Sequence, residues 1–279
     1  MKQYLDLVRT VIENGVRKKT RTGVDTISYF GAFYKVDLNE GFPLLTTKKM
    51  QWKSLLHEVL WYLSGENHIR NLRQHTKIWD AWADENGVLE TAYGYFWRHF
   101  PSAQKNKNGE WVVKEIDQIQ YVIDEIKRNP NSRRLVISAW EPGNATTSKL
   151  PPCHYSFVFN VNDGKLNCHL TQRSGDIALG IPFNLAAYSL LTQVIALQVD
   201  LKLGQFAHTI VDAHIYVGDK GTKTEKYDHL EGLEEQLKRE PFPLPKLKIV
   251  NKTIDELKFD DFELINYQYH DKISFEVAV

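Results

Sequence analysis

Cysteine is scarce in this chain: among 279 residues only Cys153 and Cys168 carry a thiol. Two thiols cannot build a disulfide framework, and they lack the paired spacing of a zinc site. The ten histidines form no His-Glu-x-x-His or His-x-His cluster with a third ligand, so no metal is expected. Net charge is missing too. Lys+Arg and Asp+Glu balance at 35 each, which removes the case for an obligatory nucleic-acid partner and makes any anion site local. No apolar run approaches the roughly 20 residues that cross a bilayer, and the opening Met1-Lys2-Gln3-Tyr4-Leu5-Asp6 has no signal-peptide core. A cytoplasmic protein without membrane attachment is the expectation. Low-complexity tracts, fixed-period repeats and long Gly/Ser linkers are also absent. With 42% hydrophobic residues there is core enough for a single domain over residues 1–279.

The patterns that are present predict a strand-rich α+β fold with a central helix. Leu5, Val8, Val11 and Ile12 recur at helical spacing over 4–14, and Gly15 ends that helix. Residues 26–30 and 33–38 read as paired strands after a basic loop ending Arg21-Thr22-Gly23. Residues 52–64 carry a broad apolar stripe, and Glu58 sits on it. A further helix is expected over 116–129, strands over 134–140, 155–161, 165–172 and 205–211, and a long apolar helix over 183–197. The Gly- and Lys-rich stretch 217–228 reads as a loop, before a helix over 229–239 and a strand-like tail.

Chemistry concentrates in Leu150-Pro151-Pro152-Cys153-His154. Two prolines restrict the backbone leading into Cys153, so its sulfur is aimed with little ordering to do when a substrate arrives. A lone cysteine is commonly a small buried hydrophobe. Here His154 beside it and Arg173 in Gln172-Arg173-Ser174 are expected to favour the reactive thiolate. Glu58 is either neutralised by a lysine or, if truly buried, raised in pKa and suited to proton transfer. Arg133 and Arg134 follow Pro130-Asn131-Ser132, and two adjacent cations repel unless an anion such as phosphate lies between them. Asn184 is a helix N-cap or, alternatively, a base reader: a pinned carboxamide donates to a carbonyl and accepts from an imide N–H, matching uracil's edge and not cytosine's. Trp79 and Trp82 are core residues or a wall for a flat heterocycle. His214 and Tyr216 alternate along a strand toward one face, serving a sugar hydroxyl or a core network.

These motifs resemble the thymidylate synthase family nearly end to end. The resemblance is carried by Arg21-Thr22-Gly23, Gly41-Phe42-Pro43-Leu44-Leu45-Thr46-Thr47-Lys48-Lys49, His57-Glu58-Val59-Leu60-Trp61, Ile78-Trp79-Asp80, Tyr93-Gly94, Ser132-Arg133-Arg134, Pro151-Pro152-Cys153-His154, Gln172-Arg173-Ser174-Gly175-Asp176 and Asp212-Ala213-His214-Ile215-Tyr216. It implies a single α+β domain with a large mixed β-sheet flanked by helices, two copies packing sheet against sheet in a homodimer. It implies reductive methylation of dUMP to dTMP, with 5,10-methylenetetrahydrofolate as co-substrate and no metal. Cys153 would add to C6 of uracil, Glu58 would manage protons through water, and Tyr93 would help order the water that takes the C5 proton. Arg173 and Asp176 complete the implied catalytic group. Arg21 and Arg173, helped by Ser174 and by Arg133 and Arg134 of the other subunit, would hold the phosphate. Asn184 would read the uracil, His214 and Tyr216 would take the 3′-hydroxyl, and His154 and Gln172 would belong to the same substrate-binding set. Asp176, Ile78, Trp79, Trp82, Leu179, Gly180 and Lys48 would line the folate side, with Val279 closing over the filled site.

Three stretches depart from the family pattern. Residues 143–149 are small and polar. Position 51, often histidine, is Gln51. Where members place an Asn-His pair soon after Tyr216, this chain has Val217-Gly218-Asp219 and an insertion running to Asp228. The main alternative is a pyrimidine-nucleotide hydroxymethylase of the same superfamily, in which water replaces hydride. A noncatalytic nucleotide sensor or RNA-binding relative is the alternative from another class. Cys153, Glu58 and Tyr93 together argue against it, because binding alone needs neither nucleophile nor proton relay.

Overall fold

A computed structural model describes residues 1–278. Helix α1 (Lys2–Asn14) precedes strands β1 (Val16–Lys18) and β2 (Asp25–Asp37). Then come α2 (Trp52–Ser64), α3 (Tyr93–Arg98), β3 (Phe100–Lys105), β4 (Trp111–Ile116), α4 (Gln118–Arg128), β5 (Val136–Ser138) and the single turn α5 (Asn144–Thr147). The second half comprises β6 (His154–Asn162), β7 (Lys165–Asp176), α6 (Gly180–Gln198), β8 (Lys202–Val217), α7 (Leu230–Leu237), β9 (Lys246–Ile249) and β10 (Phe262–Ile265).

Six strands form one sheet in the order β1-β2-β8-β7-β6-β5, with β7 and β8 parallel and every other pair antiparallel. The fold is therefore α+β with a large mixed sheet flanked by helices, as expected. The β6–β7 hairpin turns at Asp163 and Gly164, whose φ angles of 50° and 67° suit a two-residue turn matching the strand twist. That turn sets the register that brings Arg173 opposite Cys153: the Arg173 amide donates to the Cys153 carbonyl at 2.9 Å. A register irregularity between His154 and Ser156 kinks β6 just after the cysteine.

Helix α6 is apolar nearly all round, which places it in the core rather than at a surface. It corrects the expectation that no apolar segment reaches membrane-spanning length. By length and composition this helix does, and most of it is buried against β7, β8 and α2. It also starts earlier than residue 183, at Gly180. Pro182 is tolerated there because the first turn of a helix has no use for its N–H. Helix α2 matches the expected 52–64 and stops at Gly65, whose φ of 72° suits a left-handed C-terminal cap. Gly94 lets α3 approach the backbone of Tyr62 more closely than any Cβ permits, and this seats Tyr93 beside α2.

Other boundaries differ from expectation. Residues 26–30 and 33–38 do not pair with each other. They are one strand, β2, that pairs with β8 on both sides of Gly31, whose φ is 77°. The hairpin lies one segment earlier, between β1 and β2, and its loop carries Arg21. The strand expected over 134–140 shrinks to Val136–Ser138, which leaves Arg133 and Arg134 in the exposed approach to it. The β3–β4 hairpin had no counterpart in the sequence reading.

Candidate active site

Cys153 stands at the head of β6 with its loop clamped from β7. The guanidinium of Arg173 donates through Nε to the Pro152 carbonyl at 2.9 Å and through Nη2 to the Pro151 carbonyl at 2.7 Å. From α3, the Tyr93 hydroxyl accepts the Cys153 amide N–H at 2.8 Å. The proline turn is thus fixed by hydrogen bonds on both sides as well as by its own ring torsions. Burial pushes the Cys153 thiol up, against the pull of the Arg173 and Arg21 cations. The expectation of a favoured thiolate is therefore met only in the sign of the arginine effect.

His154 does not activate the sulfur. Its ring stacks on Tyr93 at 3.6 Å, its Nδ1 is 2.6 Å from the Tyr188 hydroxyl on α6, and burial holds its pKa down to about 3. A neutral imidazole contributes no cation to the thiol. Adjacent residues of an extended chain point to opposite faces, so sequence adjacency to Cys153 carries the wrong implication here.

Glu58 is 7% exposed and has no lysine partner. Its Oε1 instead accepts from the Tyr62 hydroxyl at 2.8 Å and from the Trp79 indole N–H at 2.7 Å. Burial raises its pKa, and those two bonds pull it partway back. With Tyr62, His154, Asn184 and Tyr188 it lines a cavity of about 10 Å³, room for about one water molecule. Tyr62 escaped the sequence reading although it lies four residues from Glu58, a spacing that puts both on one helix face.

Asn184 is the fifth residue of α6, so it is not an N-cap; Leu179 occupies that position. Its Oδ1 accepts from Gln172 Nε2 at 3.1 Å. His214 and Tyr216 pack edge to face at 5.3 Å, both half-buried on β8. Parallel pairing of β7 and β8 sets Ser174 and Asp176 beside them, with Ser174 Oγ 3.5 Å from His214 Nδ1.

Asp176 closes the turn into α6: its Oδ1 accepts from the amides of Ala178 at 2.8 Å and Leu179 at 3.3 Å. Burial pushes this carboxyl up, but His229, His214 and the Ala178 amide outweigh it and hold the carboxyl below the usual range. Lys48 is buried beside it, donating to the Ala178 carbonyl at 2.6 Å beneath the ring of Phe275, and burial brings its pKa down to about 8. Leu179 and Gly180 are half-buried at the same turn, whereas Ile78 is 44% exposed. Trp79 and Trp82, 5.6 Å apart, wall a groove of about 500 Å³ bounded on its far side by residues 147–150. Residues 147–149 end the polar 143–149 stretch, and Thr91 holds it and the following Leu150 through Ser148 Oγ at 2.8 Å and the Leu150 carbonyl at 3.0 Å. Val279 lies outside the described residues.

Arg133 and Arg134 are exposed and line a separate surface pocket of about 500 Å³ with Glu125, Arg128 and Ser132. Within one chain they are not brought to Cys153.

The insertion after Tyr216 is a closed excursion. The His229 amide donates to the Tyr216 carbonyl at 3.0 Å, so the chain rejoins β8 where it left. Asp228-His229 therefore stands beside Tyr216 at the end of β8, twelve and thirteen residues further along the chain. His229 is fully buried between Tyr216 and Phe275, with Nε2 donating to the Glu276 carbonyl at 2.9 Å and Nδ1 3.8 Å from Asp176 Oδ1. Only the return of the loop could reveal that position, because sequence spacing hides it.

The fold and this concentration of buried polar groups around one thiol define an α+β enzyme with a single large mixed sheet. The family model described as thymidylate synthase matches residues 2–279, and the chain belongs to that family. It is 48% identical to a thymidylate synthase from Haloferax volcanii, over 98% of this chain and 95% of that relative.

Proposed function

We propose that the enzyme methylates dUMP to dTMP in one catalytic domain, with 5,10-methylenetetrahydrofolate as co-substrate. The observation that carries the reading is the clamp on Cys153, held from two sides by Arg173 and Tyr93. The H. volcanii relative's name supports the substrate pair. Cys153 adds to uracil C6: an S–C6 bond forms, the C5–C6 π pair moves toward O4, and C5 becomes nucleophilic. Burial favours the protonated thiol in the free site, so its proton passes to water as the sulfur adds, and the S–C6 bond breaks again, its pair returning to sulfur, when the methylated base is released. Glu58, raised in pKa and facing a one-water cavity, holds or returns a proton at O4 through that water. Tyr93 positions the water that accepts the C5 proton.

Arg21 and Arg173 bind the phosphate with Ser174, and Arg133 and Arg134 arrive from a second copy. The second copy docks on the sheet, where β2 and β8 leave Phe30, Phe33 and Val211 exposed at 83%, 56% and 38%. Asn184 reads the uracil edge, with Gln172 and His154 behind it, and His214 and Tyr216 take the 3′-hydroxyl. The folate supplies the one-carbon unit and a hydride. Trp79 and Trp82 with their 500 Å³ groove fit a flat heterocycle, and Asp176, Lys48, Leu179, Gly180 and Ile78 complete the folate-binding set. The reaction runs in the cytoplasm and needs no metal.

The folate product tests this reading. Incubation with dUMP and methylenetetrahydrofolate should yield dihydrofolate and dTMP. Tetrahydrofolate with hydroxymethyl-dUMP would instead establish the hydroxymethylase alternative, in which water takes the place of hydride.

A further inference from the structure

A carboxamide by itself does not choose between uracil and cytosine. Rotated by half a turn, Asn184 would offer Nδ2 to cytosine N3 and Oδ1 to its exocyclic amine as readily as it offers Oδ1 to the uracil N3–H and Nδ2 to O4. Something must forbid the rotation, and a buried chain of hydrogen bonds behind Asn184 does so.

The chain can be read from partner chemistry alone. Gln172 Nε2 lies 2.9 Å from the Ser174 carbonyl, which only accepts, so that atom is the amide nitrogen. The same nitrogen lies 3.1 Å from Asn184, so the atom facing it is Oδ1. A rotated Asn184 would set NH₂ against NH₂ in a buried place. Gln172 is held in turn. Its Oε1 is 3.0 Å from His208 Nε2, which must therefore carry the proton. Burial keeps the His208 pKa down to about 3, so the ring is neutral and has one N–H. Its Nδ1 is then an acceptor, and the Tyr34 hydroxyl donates to it at 2.8 Å. Tyr34, His208 and Gln172 are 7%, 0% and 3% exposed, which shields the chain from bulk solvent that would offer alternative partners.

We infer that Tyr34 and His208 are positioning residues that set base specificity, by locking the tautomer and the amide polarity that present Asn184 to uracil and against cytosine. The inference rests on the proposed reading of Asn184 as the base reader. Neither residue touches the nucleotide. Tyr34 reaches the site from β2 and His208 from β8, while Gln172 and Asn184 lie on β7 and α6, so the sheet and its covering helix together fix one polarity.

The test is equilibrium binding of dUMP and of dCMP to the full-length enzyme and its variants, read as the ratio of the two Kd values. Wild type should favour dUMP by a factor on the order of 10⁴. Tyr34→Phe frees the His208 tautomer, and His208→Leu removes the donor to Gln172. Each should erode the ratio by about tenfold, chiefly through tighter dCMP binding. His208→Gln, which restores a donor near the Nε2 position, should hold the ratio close to wild type. Cooperative melting of each variant shows that it folds, and should His208→Leu not fold, Tyr34→Phe and His208→Gln still decide. A wild-type ratio in folded Tyr34→Phe overturns the relay. Asn184→Ala separates the two ideas: if it collapses the ratio while Tyr34→Phe does not, the relay fails and the base-reading role of Asn184 stands. If Asn184→Ala leaves the ratio intact, both fail.

Discussion

Trp79 donates its indole N–H to Oε1 of Glu58 at 2.7 Å, so the residue that walls the groove also holds the buried carboxyl. The bond favours the charged form, whereas burial favours the neutral one and prevails. Trp79→Phe keeps the wall and deletes the donor. The Glu58 pKa should rise further, and the alkaline limb of the kcat profile, where Glu58 loses the proton it must hold, should move to higher pH. A pH–rate profile checks this, and an unmoved limb would mean that Glu58 does not govern it.

The same carboxyl links stability to pH. Because its folded pKa stands above the ordinary value, the folded chain holds this proton more tightly than the unfolded chain does. That contribution is full below the ordinary carboxyl value and is lost as pH rises through the folded one. Glu58→Gln keeps an acceptor for Tyr62 and Trp79 without acquiring a charge. Its melting temperature should match wild type in acid and exceed it increasingly toward neutral pH, while turnover falls about 10²–10⁴-fold. Parallel melts across pH check the first outcome. A stability difference that ignores pH would contradict a raised Glu58.

Cys153→Ala should abolish turnover and leave dUMP binding largely intact, since in the proposed complex the guanidinium groups and not the thiol hold the phosphate. Wild-type protein with 5-fluoro-dUMP and methylenetetrahydrofolate should form a covalent ternary complex, because fluorine cannot leave C5 as a proton does. Intact-mass analysis locates the adduct, and activity in Cys153→Ala would sink the covalent step.

Mixed subunits test whether the site is shared. Arg133 and Arg134 line a pocket apart from Cys153 in the single chain, so they serve the thiol of another copy or serve none. Cys153→Ala and Arg133→Ala proteins, each nearly inactive, should regain activity after subunit exchange, since one site per heterodimer then has both intact parts. No recovery after verified exchange would remove the arginines from the reaction.

If the proposed dimer packs on this face of the sheet, Phe33→Asp should split it and with it the activity. The ring is 56% exposed on β2, and a carboxylate there faces desolvation against a second sheet. Sedimentation at several concentrations checks the state. An active monomer would disprove the shared site.

By itself the sequence determined the fold class and the family. Helical and strand periods are local properties, so α2, α4 and α6 were expected within a few residues of their observed bounds, as was most of β6 and β7. A proline pair before a cysteine likewise states its stiffness without reference to anything distant. The tertiary structure decided which neighbours matter. His154 is next to Cys153 in sequence yet faces Tyr188, because strand residues alternate sides. Glu58 could have met a lysine, and its partner is instead an indole 21 residues away. The Asn184 amide takes its polarity from Tyr34 and His208, which reach it across strands β2, β8 and β7. Protonation states and amide orientations depend on burial and on partners distant in sequence. Local pattern carries no information about either, because both arise only when the chain closes around them.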